Sequence, residues 1–170
     1  MQSLDGFLAR SNSDDLSWGS RADRNFFIEK TKEIGTMLMG STTFDNMKGT
    51  NGKAFNNRNV IVFTSRLAEY QNYSTEYGQV RFVSDIPKFV VTELEANGIT
   101  ESALIGGGHL IYQFLEAKLV NEIYTTIAPK LFGSGIKMCA EQLSDLNLKL
   151  LDFSKISDNE LLLHYKVEYP

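Results

Sequence analysis

The sequence predicts an α/β fold: a mixed, mostly parallel central sheet with helices on both faces and a C-terminal antiparallel hairpin. Three observations predict it. Short apolar runs alternate with helix-length amphipathic segments through most of the chain, the order that builds parallel sheets covered on both sides. One of those runs, residues 102–105, leads straight into Gly106, Gly107 and Gly108 and then into a helix. The tail then changes to period-two alternation, with Leu146, Leu148 and Leu150 on one limb and Leu163, Tyr165, Val167 and Tyr169 on the other. Ser157-Asp158-Asn159 between them reads as the turn of a hairpin.

The elements follow in order. Residues 6–9 end a short first strand, and residues 10–22 are polar and turn-rich, with Trp18 the only tryptophan. Residues 23–34 read as a helix, with Phe26, Phe27, Lys30 and Ile34 roughly on one face. Residues 36–39 are a short apolar strand ending at Gly40, and residues 42–47 a short helix. A loop rich in Asn and Gly spans 48–58. Residues 59–63 and 80–83 are strands of the buried type. The helix over 86–96 has Pro87 in its first turn and Asn97-Gly98 at its stop. After the three glycines a helix runs from about 109 to 117, and residues 122–128 form a strand closed by Pro129.

The chain of 170 residues, 42% hydrophobic and 22% charged, reads as one globular domain over 1–170. It is long enough to bury a core without staples. Cys139 is the only cysteine, which forbids an intrachain disulfide and predicts a cytoplasmic setting. His109 and His164 lie far apart with no ligand spacing around them, so no metal site is predicted. No apolar run has the length of a membrane span and no signal-peptide pattern opens the chain. A net charge of −4 argues against a nucleic-acid binder. It leaves room for an anionic cofactor, which needs only a few local donors.

Ligands of open α/β sheets bind at the C-terminal strand ends, and three ends here share a chemistry. Gly40 is followed by Ser41, Thr42 and Thr43; residue 63 by Thr64, Ser65 and Arg66; residue 105 by Gly106, Gly107 and Gly108. Glycines let a backbone turn sharply and sit against a ligand, and a helix start offers free N–H groups to a phosphate. Hydroxyls and a guanidinium beside them suit a phosphate-bearing ligand. The plainer alternative is a tight turn with ordinary helix-capping residues. The glycine run is not the dinucleotide fingerprint, because Ile111 stands where its last glycine belongs.

In register, the segments SLDGFLA from residue 3, Trp18 five residues before Asp23, MGSTTF from 39, NVIVFTSR from 59 and IGGGHLIYQFLEAKLVNEIYTTIAP from 105 make a pattern. The chain resembles the dihydrofolate reductase superfamily over nearly its whole length. It is especially similar to the bacterial branch that includes the reductase domain of riboflavin synthesis, for which LFGSG at 131–135 is typical.

The resemblance implies a dihydrofolate reductase-like three-layer fold and an NADPH-dependent reductase of a small-molecule substrate. The implied substrate is a ribosylaminopyrimidine phosphate, as for 5-amino-6-(5-phosphoribosylamino)uracil reductase, or a pterin. Gly40, Ser41, Thr42 and Thr43 would then hold the cofactor pyrophosphate. Thr64, Ser65 and Arg66 would take the adenosine 2′-phosphate. Gly106, Gly107, Gly108, His109 and Leu110 would approach nicotinamide and pyrophosphate, with a cis bond between Gly106 and Gly107. Asp23 stands as the active-site acid, which holds the substrate ring and assists its protonation, with Phe27 against the ring, Trp18 beside it and Thr125 backing the acid. A helix N-cap is the other reading of Asp23, and core packing that of Phe27.

A homodimer is implied, and relatives begin the interior first strand several residues earlier. The chain departs from folate reductases in Ser41, where a basic residue is frequent, in Ile111, which replaces a common tyrosine, and in Asn57, where an arginine for the folate tail is common and Arg58 is the neighbour. It departs from the riboflavin-type reductases at 44–47, which lack an acidic D-D-P run. A catalytically silent nucleotide-binding or interaction module on the same fold is the alternative from another class.

Overall fold

The computed structural model describes residues 1–14, 16–49, 52–139 and 143–170. They divide into two compact units, one of Ile28–Leu110 and one of Met1–Phe27 with Ile111–Pro170. Ten strands are described: β1 (Gln2–Ser3), β2 (Phe7–Ala9), β3 (Thr36–Gly40), β4 (Asn59–Phe63), β5 (Gln79–Val83), β6 (Ala103–Gly106), β7 (Glu122–Ala128), β8 (Ile136–Lys137), β9 (Asn147–Ser157) and β10 (Glu160–Glu168). The α-helices are α1 (Arg21–Ile34), α2 (Ser41–Lys48), α3 (Pro87–Ala96) and α4 (Gly108–Glu116). Among the described residues no helix is long and apolar enough to cross a membrane.

The Ile28–Leu110 unit carries the parallel sheet, in the order β5-β4-β3-β6. Its inner strands read TMLMG and NVIVF, and Met37, Leu38, Met39, Val60, Ile61 and Val62 are each at most 1% exposed. Neighbouring side chains point to opposite faces, so both faces are covered, as parallel sheets require. Helix α2 is pinned by Phe44, which stacks on Phe55 at 5.4 Å and meets Phe82 of β5 edge-on. Gly35, at φ +79°, ends α1 and turns the chain into β3. Arg58 is buried, and it donates to Thr31 Oγ1, to the Ile28 carbonyl and to the carbonyls of Ala54 and Asn56. Burial holds its pKa below the ordinary value. Its donors thus serve the Thr31 hydroxyl and the chain's own carbonyls, and Arg58 does not offer an outward cation for a folate tail.

The other unit carries the mixed sheet, β1-β7-β10-β9, and the small ladder β2-β8. Strand β1 runs parallel to β7, and β10 runs antiparallel to both β7 and β9. The expected hairpin is β9–β10, closed by Asp158 and Asn159. Its register shifts beside the turn, between Glu160 and Leu161, and again in mid-strand: Tyr165 faces Leu150 while His164 faces Asp152, which leaves Leu151 as a bulge. The slip keeps Leu148, Leu150 and Phe153 on one sheet face, opposite Val167, Tyr165 and Leu163. That face is apolar and open: Leu148, Leu150, Phe153 and Leu161 are 46–66% exposed.

The LFGSG segment is held by Asp5. Its carboxylate accepts from the backbone N–H groups of Phe132 and Gly133, the latter at 2.7 Å. A Cβ on Gly135 would run into the Ala9 carbonyl oxygen, and its φ is +150°. Glycine there serves the β2–β8 ladder.

Candidate active site

In the parallel sheet the strand order reverses at β3. Strands β4 and β5 follow it on one side, and β6 returns to the other. Such a reversal opens a crevice at the C-terminal strand ends. Register places the three tips side by side: Gly40 pairs with Phe63 across β3 and β4, and Met39 with Gly106 across β3 and β6. All three tips named from the sequence therefore converge.

Two helix starts meet there. Helix α2 begins directly at Ser41 behind an extended Gly40, with no side-chain cap on its N–H groups. Helix α4 begins at Gly108. Free N–H groups at helix starts suit an anion. The Gly106–Gly107 peptide bond is cis, as the resemblance implied. A Cβ on Gly40 would meet Gly107 N at 3.8 Å and the Gly106 carbonyl oxygen at 3.9 Å, and one on Gly107 would meet Thr43 Oγ1 at 3.8 Å. These are ordinary van der Waals distances, so protein packing alone does not demand glycine at either position, which leaves the approach of a ligand as a reason for it.

Not every named residue reaches this space by its side chain. Thr64 is buried, and its hydroxyl accepts from the Arg66 N–H at 3.0 Å. It shapes the turn that presents Arg66. Leu110 is also buried, so only its backbone belongs to the helix start. Thr42, Ser65 and His109 are exposed, and Ser41 and Thr43 half-buried. The Arg66 guanidinium stands 3.2 Å from Ser41 Oγ and thus links the tip of β4 to the start of α2.

Sequence reasoning missed the company Arg66 keeps. It donates to Glu69 Oε2 at 2.7 Å, to Tyr70 OH at 3.2 Å and to Asp45 Oδ2 at 3.4 Å. Tyr70 also donates to Asp45 at 2.9 Å, and Lys48 pairs with Asp45 at 2.6 Å. Partial burial works to raise the Asp45 pKa, but Lys48 and Tyr70 outweigh it and hold the carboxyl below its ordinary value. Arginine for a phosphate, hydroxyls and two helix starts fit an anionic dinucleotide.

The predicted acid lies in the other unit. Asp23 is half-buried in the first turn of α1. Ser20, not Asp23, is the cap: its Oγ accepts from the Asp23 N–H at 3.0 Å. The Asp23 carboxylate is thus not consumed as an N-cap. Phe26 and Phe27 follow one turn later on the same side of the helix, and Phe26 meets Tyr124 of β7 at 6.0 Å.

This contact corrects one assignment. Residues alternate faces along β7, so Tyr124 and Thr126 point to the α1 side and Thr125 points to the opposite side. Thr126, 1% exposed, is the hydroxyl on the helix face. Thr125 instead lines a cavity of about 510 Å³ with Ile123, Leu148, Leu163 and Tyr165.

Glu160 was also missed. It is buried at the start of β10, opposite Ser157, whose Oγ donates to it at 2.9 Å. Burial pushes the Met1 α-ammonium below its ordinary pKa, and the charges of Asp23 and Glu160 oppose that shift. The two acids therefore share one neighbourhood. The signal in the sequence was an acid in phase with Leu162 directly after a turn. Trp18 packs edge-on against Phe132 at 4.9 Å, and its indole N–H is buried with no acceptor among the described residues.

Comparison with known proteins defines the class. The chain has a dihydrofolate reductase-like fold. It superposes on dihydrofolate reductase from Enterococcus faecalis, a complex with NADP(H), with a TM-score of 0.68 at 20% identity, over 99% of this chain and 93% of the other. A candidate riboflavin biosynthesis protein from Shewanella sp. PV-4 matches with a TM-score of 0.80 at 22% identity, covering 99% and 96%. The diaminohydroxyphosphoribosylaminopyrimidine deaminase/5-amino-6-(5-phosphoribosylamino)uracil reductase of Thermotoga maritima matches with a TM-score of 0.73 at 18% identity. There 97% of this chain covers 54% of the other, about half its length. Residues 1–162 match the model of the RibD C-terminal domain, and the chain belongs to that family.

Proposed function

We propose that the chain is an NADPH-dependent reductase of a small heterocyclic substrate, a ribosylaminopyrimidine phosphate of the riboflavin-pathway type before a pterin. The observation that carries this reading is the meeting of three strand tips at the sheet's reversal, around glycines that packing does not require. In this reading the α2 N–H groups with Ser41 and Thr42 hold the pyrophosphate. Arg66 receives the adenosine 2′-phosphate, and Gly106 and Gly107 let the nicotinamide approach. The bound cofactor supplies the hydride. Asp23 holds the substrate ring and passes it a proton. Phe27 offers a flat apolar face, and the unpaired Trp18 N–H offers a donor to a ring carbonyl.

The reading includes a homodimer in the cytoplasm. The open apolar face of β9 and β10 supports the first, since a two-fold pairing would bury the same patch on both copies. The lone Cys139 supports the second. Light scattering should report twice the chain mass.

The test follows absorbance at 340 nm with NADPH against 5-amino-6-(5-phosphoribosylamino)uracil and dihydrofolate in parallel. Turnover is expected with the pyrimidine. Asp23→Asn should cut it by about 10²–10⁴-fold, the usual worth of a positioned acid, while NADPH affinity holds within about twofold. Turnover indifferent to Asp23→Asn would remove Asp23 from the acid role, and no turnover with either substrate would leave the silent module as the better account.

A further inference from the structure

The cation at the tip of β4 is already engaged. Arg66 Nη1 is held by Glu69, and Nη2 is shared among Asp45, Tyr70 and Ser41. Counting Lys48, which pairs with Asp45, the two cations and two carboxylates sum to zero formal charge. An arginine reserved for a phosphate would be expected to stand clear of acids. This one is partly neutralised by carboxylates from α2 and from the short turn after β4.

A phosphate monoester brings about two negative charges and accepts the same donors that Asp45 and Glu69 accept now. It can gain Arg66 only by displacing or sharing with them. A carboxylate at such a tip also has a favourable role toward an unphosphorylated ribose, whose hydroxyls donate to it, whereas arginine favours the 2′-phosphate. The two functions stand side by side here.

We propose that Glu69 and Asp45 are specificity-determining residues. They compete with the 2′-phosphate of an adenine dinucleotide for Arg66, so that the chain's preference for the phosphorylated cofactor is weaker than an unengaged arginine would give. The inference rests on the dinucleotide reading of the same strand tips. Both carboxylates lie on the surface, with side chains 55% and 32% exposed. Each acts through a screened pair of modest strength, and the effect must weaken with salt.

Calorimetry of the full chain tests this with adenosine 2′,5′-bisphosphate against adenosine 5′-monophosphate, and with NADP⁺ against NAD⁺. The wild type should bind the members of each pair within about tenfold of one another. Glu69→Gln should tighten only the 2′-phosphorylated ligands, by about two- to fivefold, and Asp45→Asn should act in the same direction. The gain should shrink between 0.05 M and 0.5 M salt. Arg66→Ala should abolish both the preference and the gain. Melting curves establish that each variant folds.

Dinucleotide binding with a ratio that neither substitution moves, or with both members of a pair shifting alike, would overturn the competition and leave the dinucleotide reading intact. Failure of all four ligands to bind the wild type would overturn both.

Discussion

Strand β4 of the parallel sheet is buried on both faces at Val60, Ile61 and Val62, whereas β9 of the mixed sheet is exposed from Asn147 to Lys155. Both strands are rich in branched apolar residues, so composition does not separate them. Connectivity does. Parallel strands are joined by crossovers that lay helices over the sheet, while a hairpin edge needs no cover. Lys149, Asp152 and Lys155 along β9 fit this role, since charges guard an open edge against uncontrolled pairing. The parallel sheet supplies rigidity beneath the strand tips, and the mixed sheet offers an open surface.

The largest effect expected from this contrast is on stability. Ile61→Ala removes a side chain 1% exposed at the centre of the parallel sheet and should cost about 2–5 kcal/mol. Phe153→Ser removes a larger side chain that is 66% exposed and should change monomer stability by less than about 1 kcal/mol. Urea unfolding at low protein concentration compares the two. Equal losses would mean that β9 is covered in solution and that the contrast is false.

A pair of glycines sharpens the comparison at the next level. Gly135→Ala, in the β2–β8 ladder, forces a Cβ onto the Ala9 carbonyl at φ +150° and should cost more than about 1 kcal/mol. Gly40→Ala, at the tip of β3, places a Cβ at ordinary van der Waals distance from Gly107 N and the Gly106 carbonyl oxygen, 3.8 and 3.9 Å, on extended backbone at φ −79°. Its stability should stay within about 0.5 kcal/mol. Dinucleotide affinity should fall about tenfold, the worth of one displaced contact. Unchanged affinity in a folded Gly40→Ala protein would remove the β3 tip from the binding surface.

These contrasts also explain what could be read from the sequence. The inner parallel strands were legible because burial on both faces leaves an unbroken apolar run, as in NVIVF. The glycine tips were legible because turns impose residue types locally. Phase was harder. The Leu150-Leu151 doublet hides a bulge, and plain alternation sends Phe153 to the wrong face. The doublet Thr125-Thr126 posed the same problem, settled only by the Phe26–Tyr124 contact. Asp45 and Glu69 were invisible beside Arg66 because their meeting depends on how α2 sits against the turn after β4, which no local pattern encodes.

The smallest effect lies at Asp5, whose role is confined to the mixed-sheet unit. Its pKa is held below the ordinary 3.8, first by the Ser3 hydroxyl and then by the Gly133 N–H. A carboxylate with a depressed folded pKa stabilises above the unfolded value, and that contribution disappears as pH falls through the folded one. Asp5→Asn removes it. The variant should melt slightly below the wild type at pH 6, and the gap should close as pH drops below about 3.8. The Gly40 tip, by contrast, should be indifferent to this substitution, with dinucleotide affinity at pH 7 unchanged. A gap independent of pH would mean that Asp5 acts by shape, its charge adding nothing to the hold on the Phe132–Gly133 turn.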